Sequence, residues 1–255
     1  MTGASTTSAA SWLRRFHPRP KDGPRLICFP HAGGSASYYF RMSRVLHLSM
    51  EVAAVQYPGR QDRRMEPPVE DITQLADLIT RELRDAEPRP TVLFGHSMGA
   101  MVAFEVARRL ERDGNLPLAL FASGRRAPST VRAASQPMHL RDDAHIVTEL
   151  RALSGTDNQI LEDEQLLAMI LPVLRSDYRA VETYEYVPGP LLRCPIVSLV
   201  GTDDPQATIA EVQAWAGHTT GGFDLRVFDG GHFYLDTRTD EVAGVIQKRY
   251  SAGVS

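Results

Sequence analysis

Only two cysteines, Cys28 and Cys194, occur in the 255 residues, which excludes a disulfide framework and a CxxC metal cluster. Each lies in an apolar run, LICFP and CPIVSLV, where a small buried hydrophobe is expected. No stretch reaches the ~18–20 apolar residues needed to cross a bilayer. The opening MTGASTTSAA lacks the charged and apolar regions of a secretory signal, so a cytoplasmic location without membrane attachment is expected. Charge of one sign is not in excess either. A formal net charge of −3 argues against nucleic acid or an anionic membrane as the main partner. Internal repeats are missing, as are low-complexity tracts beyond the polar N-terminal tail, and residues 1–20 read as disordered.

What is present is the balance of a soluble globular chain, 43% hydrophobic and 23% charged, of a length that fits one α/β domain with a modest insertion. Short apolar runs alternate with longer amphipathic ones. Strands are expected at Arg25–Phe29, Val52–Tyr57, Thr91–Phe94, Leu118–Ala122, Ile196–Val200 and Asp224–Phe228. Helices are expected at Ser37–His47, Ile72–Ala86, Met98–Asp113, Ile209–Ala216 and Glu241–Tyr250. Strands separated by helices imply βαβ units and a mostly parallel sheet flanked by helices.

The rhythm breaks between about Pro128 and Pro190, where no strand is evident. Apolar residues there recur at helical spacing in Asp143–Leu153, Glu162–Leu174 and Ser176–Tyr184. Additional core helices would give this pattern. A helical lid over residues 128–187, inserted into a core of 1–127 and 188–255, explains better why the strand pattern stops and resumes; Pro188, Gly189 and Pro190 mark the return.

The chemistry centres on TVLFGHSMGA. Gly95-His96-Ser97-Met98-Gly99 is a G-x-S-x-G pentapeptide, weak alone but strengthened by a preceding strand and a following helix. On such a strand-to-helix turn the glycines avoid clashes and the serine is exposed as a nucleophile at a helix N-terminus. A plain helix cap would need no partners. A nucleophilic serine needs an acid and a histidine downstream, in that order in an α/β-hydrolase. Gly201-Thr202-Asp203-Asp204-Pro205 and Gly230-Gly231-His232 each follow a strand, at the edge where parallel sheets bind ligands. His232 is the expected base. Asp204, three residues after Gly201, is the favoured acid, with Asp203 the alternative; a capping turn would use one of them. His17, His47, His139, His145 and His218 read as surface residues, and His96 as a packing residue. Phe29-Pro30-His31-Ala32-Gly33-Gly34 follows the first of the expected strands, where a second oxyanion donor originates. The expected donors are the Ala32 and Met98 N–H groups.

Together FPHAGG, QYPGRQDRR, GHSMGA, SGRRAP, GTDDP and GGHFYL, in this order, resemble the type II thioesterases of polyketide and nonribosomal peptide synthesis, a resemblance that covers Arg25 to Leu235. Tyr234 stands where a second phenylalanine is often seen. The resemblance implies a free-standing editing enzyme with an α/β-hydrolase core and a mobile helical lid. Its substrate would be an acyl group on the phosphopantetheine arm of an acyl carrier protein, its partner a carrier domain of the synthase. The polyketide branch is favoured over the peptide branch, and a monomer is expected. A thioester has a good leaving group, so neither metal nor cofactor is expected. An esterase or lipase, or an acyltransferase using the same serine, is the alternative. Arg60, Arg63 and Arg64, with Arg125 and Arg126, form basic clusters able to steer an acidic carrier or to pair internally.

Overall fold

The computed structural model describes residues 12–17, 23–132, 136–153 and 163–250. Its strands are β1 (Leu13–Arg14), β2 (Arg25–Phe29), β3 (Glu51–Val55), β4 (Thr91–His96), β5 (Ala119–Ser123), β6 (Ile196–Gly201) and β7 (Phe223–Phe228). They form one sheet in the order β1-β3-β2-β4-β5-β6-β7. β1 pairs antiparallel with β3, and all the other pairs are parallel. The helices are α1 (Phe40–Leu46), α2 (Ile72–Asp85), α3 (Met98–Arg112), α4 (Asp143–Leu153), α5 (Glu164–Glu182), α6 (Ile209–Gln213) and α7 (Tyr234–Tyr250). This is the α/β-hydrolase fold.

Every residue of β2 is buried. Its side chains alternate between two apolar layers. Ile27 and Phe29 meet Ile72, Leu75 and Ile79 of α2 and the inner face of α3. Leu26 and Cys28 meet Met42 and Leu46 of α1 and Val242, Ala243 and Ile246 of α7. A strand covered on both faces reads as an unbroken apolar run, which is why these strands are legible in the sequence. Helix α2 starts where Asp71 accepts the Gln74 N–H at 2.7 Å, a side-chain cap that satisfies an otherwise orphaned donor.

Four expectations need correction. The N-terminal segment contains order: Leu13 pairs with Val55 and Arg14 with Ala54, Leu13 is buried, and Arg63 lies 4.1 Å above the Trp12 ring. Two strand residues carry too little periodicity to be seen. Helix α7 begins at Tyr234 rather than Glu241 and kinks at Arg238; Thr237 and Thr239, weak helix formers, hide its first turns. The two segments expected at 162–174 and 176–184 are one helix, α5, with Pro172 inside it; Glu162 lies outside the described residues. Finally, His218 is buried, against Phe104, Tyr186 and Trp215.

Helices α4 and α5 lie between β5 and β6 in the chain. Arg175 of α5 donates to the His139 carbonyl at 2.7 Å and the Arg141 carbonyl at 2.5 Å, and reaches Asp143 of α4 at 2.5 Å. The two helices are therefore tied to each other at one end.

Candidate active site

Strand β4 passes into α3 through a single residue, Ser97, at φ 54° and ψ −117°. Such a backbone costs a non-glycine residue on the order of 1–3 kcal/mol and persists only where the surroundings impose it. They do so here: the Ser97 N–H donates to the Ser123 carbonyl at 2.8 Å, and its carbonyl accepts the Ala100 N–H at 3.0 Å. The flanking glycines are required by close approach. A Cβ on Gly95 would fall 2.1 Å from the Gly99 carbonyl oxygen, and one on Gly99 2.0 Å from that of Phe29. The Ser97 side chain makes no capping hydrogen bond, so it is not there as a helix cap.

Its Oγ instead lies 3.0 Å from His232 Nε2, and His232 Nδ1 lies 3.0 Å from each carboxylate oxygen of Asp204. A carboxylate only accepts, so Nδ1 carries the hydrogen and Nε2 is left to accept from the serine hydroxyl. Asp204 and His232 are buried; Ser97 is partly exposed. The Gln206 N–H donates to Asp204 Oδ1 at 2.8 Å, which fixes the carboxylate. Asp203 is exposed and points elsewhere, its Oδ2 accepting from Thr202 Oγ1 at 3.1 Å. The structure thus joins Ser97, His232 and Asp204 and leaves Asp203 outside the line.

Ala32 sits on the turn after β2, closed by the Gly34 N–H donating to the His31 carbonyl at 2.9 Å. Met98 opens α3, where first-turn amides have no partner within the helix. Among the described residues neither the Ala32 nor the Met98 amide has a hydrogen-bond acceptor.

His96 packs as expected, yet directly beside the base: its ring centroid is 5.1 Å from that of His232, and its Nδ1 is 2.9 Å from Ser123 Oγ, itself 2.6 Å from the Tyr234 hydroxyl. Burial, then the neighbouring His232 and His31, push its pKa well below the usual imidazole range. Burial, His232 and Arg60 likewise lower His31 to about 3. His96 thus lies against His232, and the His31 ring lies beyond it, 6.0 Å from that of His96.

The expected basic docking clusters need revision. Arg60 is buried and paired with Asp177 of α5. Arg63 is buried too, donating to the Gln56 carbonyl at 2.8 Å and to Glu66 at 2.8 and 2.6 Å. Both are held by internal acceptors and present no charge outward; in that cluster Arg64 is exposed. Arg125 and Arg126, at the end of β5, are half-buried. Burial and the adjacent Arg126 and Arg132 lower Arg125 to about 9.

Sequence reasoning missed two contacts from the α4–α5 region to the loops that carry the site. Glu149 of α4 accepts from Gln206 Nε2 at 2.8 Å, beside Asp204. Asp177 of α5 accepts the Gly33 N–H at 2.7 Å, beside Ala32. Their partners lie 57 and 144 residues away, beyond the reach of any local pattern.

Comparison with known proteins now bears on this geometry. A family profile for the thioesterase domain matches residues 24–250. The chain belongs to the type II thioesterases. It is 50% identical over 238 residues to "Thioesterase PikA5" of Streptomyces venezuelae, covering 92% of this chain and 84% of that one. It is 54% identical over 235 residues to a "Probable cadicidin biosynthesis thioesterase" of Streptomyces griseus, covering 92% of this chain; the chain spans 64% of that relative's length. The solved structure of the type II thioesterase BorB from the borrelidin biosynthetic cluster superimposes with a TM-score of 0.88 at 50% identity, over 95% of this chain and 99% of that one. The protein is thus a hydrolase of thioesters. Among the described residues of this thioesterase, no group of three or more His, Cys, Asp or Glu could hold a metal ion, and no helix is long and apolar enough to cross a membrane.

Proposed function

We propose that this thioesterase hydrolyses acyl groups from the phosphopantetheine arm of acyl carrier proteins, by a Ser97–His232–Asp204 acyl-enzyme mechanism, clearing stalled or aberrant units during polyketide or nonribosomal peptide antibiotic assembly in the cytoplasm. One observation carries it: an unbroken chain of contacts, Ser97 Oγ to His232 Nε2 and His232 Nδ1 to Asp204, each 3.0 Å. The pathway names of the relatives support the substrate class.

In the first half-reaction Ser97 Oγ attacks the thioester carbonyl while His232 Nε2 takes its proton. The carbonyl oxygen becomes an oxyanion facing the Ala32 and Met98 N–H groups, each such donor contributing about 3 kcal/mol of transition-state stabilisation. Collapse breaks the carbon–sulfur bond, and the leaving thiolate receives the proton from Nε2. Water then adds to the acyl-enzyme, giving its proton to His232; the second tetrahedral intermediate releases the free acid and restores the Ser97 hydroxyl. Asp204 holds the ring in one tautomer and balances the transient imidazolium throughout. Helices α4 and α5 act as the lid, a role supported by their contacts with the acid loop and the oxyanion loop.

The test is a panel of carrier proteins loaded with acyl groups of increasing length, with release followed by mass spectrometry. Short or aberrant acyl units should leave faster than the full-length product, and oxygen esters of the same acyl groups should react more slowly. Ser97→Ala should lower turnover by about 10⁶-fold. Substantial turnover by that variant would refute the mechanism, and preference for full-length product would refute the editing role.

A further inference from the structure

Outside the hydroxyl–imidazole–carboxylate line, a buried polar cluster joins α5 to the turn after β2. Asp177, on the buried face of α5, places Oδ2 against two donors at once: the Arg60 Nη2, and the Gly33 N–H at 2.7 Å. Arg60 spends its remaining nitrogens on backbone carbonyls, Nε on Gly34 at 2.8 Å and Nη1 on Pro58 at 2.7 Å. Behind them Gln56 closes the circuit, its Nε2 donating to the Arg60 carbonyl at 3.1 Å and its Oε1 accepting the Ala36 N–H at 3.0 Å. Gln56, Arg60 and Asp177 are all buried, with 0%, 8% and 2% of their surface exposed. Leu174 packs its Cδ1 onto Gly33, 3.0 Å from where a Cβ would stand. It lies one helical turn before Asp177 on the same buried face of α5, so one helix face supplies both the apolar contact and the carboxylate.

We propose that Asp177 and Arg60 are positioning residues: seated together, they hold the Ala32–Gly34 backbone so that the Ala32 N–H faces the oxyanion formed at Ser97. The proposal rests on the Ser97 acyl-enzyme reading above. Its physical basis is that one peptide N–H (Gly33) and one peptide carbonyl (Gly34) are gripped by two side chains that are themselves paired. The amide immediately upstream then has little freedom to turn. A buried ion pair is a weak source of stability compared with apolar residues of the same volume, whereas a fully satisfied polar circuit in a dry interior fixes geometry well. The carboxylate comes from α5, so lifting this part of the helix from its seat would release the oxyanion loop.

The experiment uses the full chain and a fluorophosphonate probe, which forms a tetrahedral adduct on the nucleophilic serine and needs no thioester. The variants are Asp177→Leu, which removes both contacts, and Asp177→Asn, which keeps an acceptor for Gly33 but loses the charge. Val173→Ala loosens the same buried face of α5 as a control. The second-order labelling rate of Ser97 and the affinity for an alkyl boronate are measured well below each melting temperature. Labelling by Asp177→Leu should fall about 100-fold, with boronate affinity falling in parallel and Asp177→Asn intermediate. Val173→Ala should label within about threefold of wild type although it too melts earlier. If Asp177→Leu does not fold, Asp177→Asn carries the comparison. Labelling of the Asp177 variants at the wild-type rate would overturn the proposal, as would an equal loss in Val173→Ala. A wild type that labels normally but releases no acyl group from carriers would instead refute the thioesterase reading and leave the positioning result standing.

Discussion

Replacing Gly99 by alanine would drive a methyl group into the end of β2. The new Cβ would stand 2.0 Å from the Phe29 carbonyl oxygen, 2.6 Å from its carbon and 2.7 Å from the Pro30 carbonyl oxygen. Real Cβ atoms stay beyond 3.0 Å of such neighbours, so the start of α3 and the end of β2 must part by about 1 Å. Backbone lies on both sides of the contact, and no side chain can rotate away to relieve it. Overpacking of this kind costs about 1–3 kcal/mol. At about 2–4 °C per kcal/mol for a domain of this size, the melting temperature should drop by roughly 2–12 °C. The larger effect falls on catalysis. The β2 end leads into Ala32, while the start of α3 follows Ser97 and carries Met98, so the same displacement widens the gap between the proposed nucleophile and one proposed oxyanion donor. A misplacement near 1 Å costs about 100-fold in rate, equivalent to about 2.7 kcal/mol. Steady-state kinetics on a soluble acyl thioester, with calorimetry on the same sample, checks both numbers: kcat should fall about 100-fold with KM little changed. A variant that melts earlier yet keeps kcat within about threefold of wild type would refute the view that this contact sets catalytic alignment.

Asp204→Asn should lower kcat about 10⁴-fold by favouring the wrong imidazole tautomer, whereas Asp203→Asn should stay within about threefold; equal effects would remove Asp204 from its assigned role. Stability should also respond to acid. His31 is held to a pKa of about 3 by burial, and burial lowers His96 in the same direction, while the unfolded chain protonates both rings near pH 6.5. The unfolded state therefore binds more protons between about pH 3 and 6.5, so the melting temperature should fall as pH drops through that window and level off above it. His31→Asn should flatten the slope measured by calorimetry, and an unchanged slope would refute the assignment.

The legible parts of the fold are those whose signal is local. Leu26 to Phe29 read as a strand because both faces are covered, and Ile72 to Leu83 as a helix because one stripe is apolar. Leu13 and Arg14 form a strand only because the edge of β3 accepts them, information that two residues do not hold. The candidate site divides in the same way. Ser97 and His232 are marked by their glycine turns, which are local. Asp203 and Asp204 are adjacent carboxylates of identical chemistry; the spacing from Gly201 favours Asp204, and the fold turns it inward and Asp203 out. Whether Arg60 steers a carrier or pairs internally stays open in the sequence because its partner, Asp177, is 117 residues away.

The loops after β6 and β7 are stitched to each other: the Asp203 N–H donates to the Gly230 carbonyl at 3.0 Å, and the Gly230 N–H to Thr202 Oγ1 at 3.2 Å. Acid and imidazole therefore travel as one rigid piece. Breathing at this rim of the sheet would leave that couple intact and part it from the alcohol, so the weak seam of the relay is the gap between Oγ and Nε2.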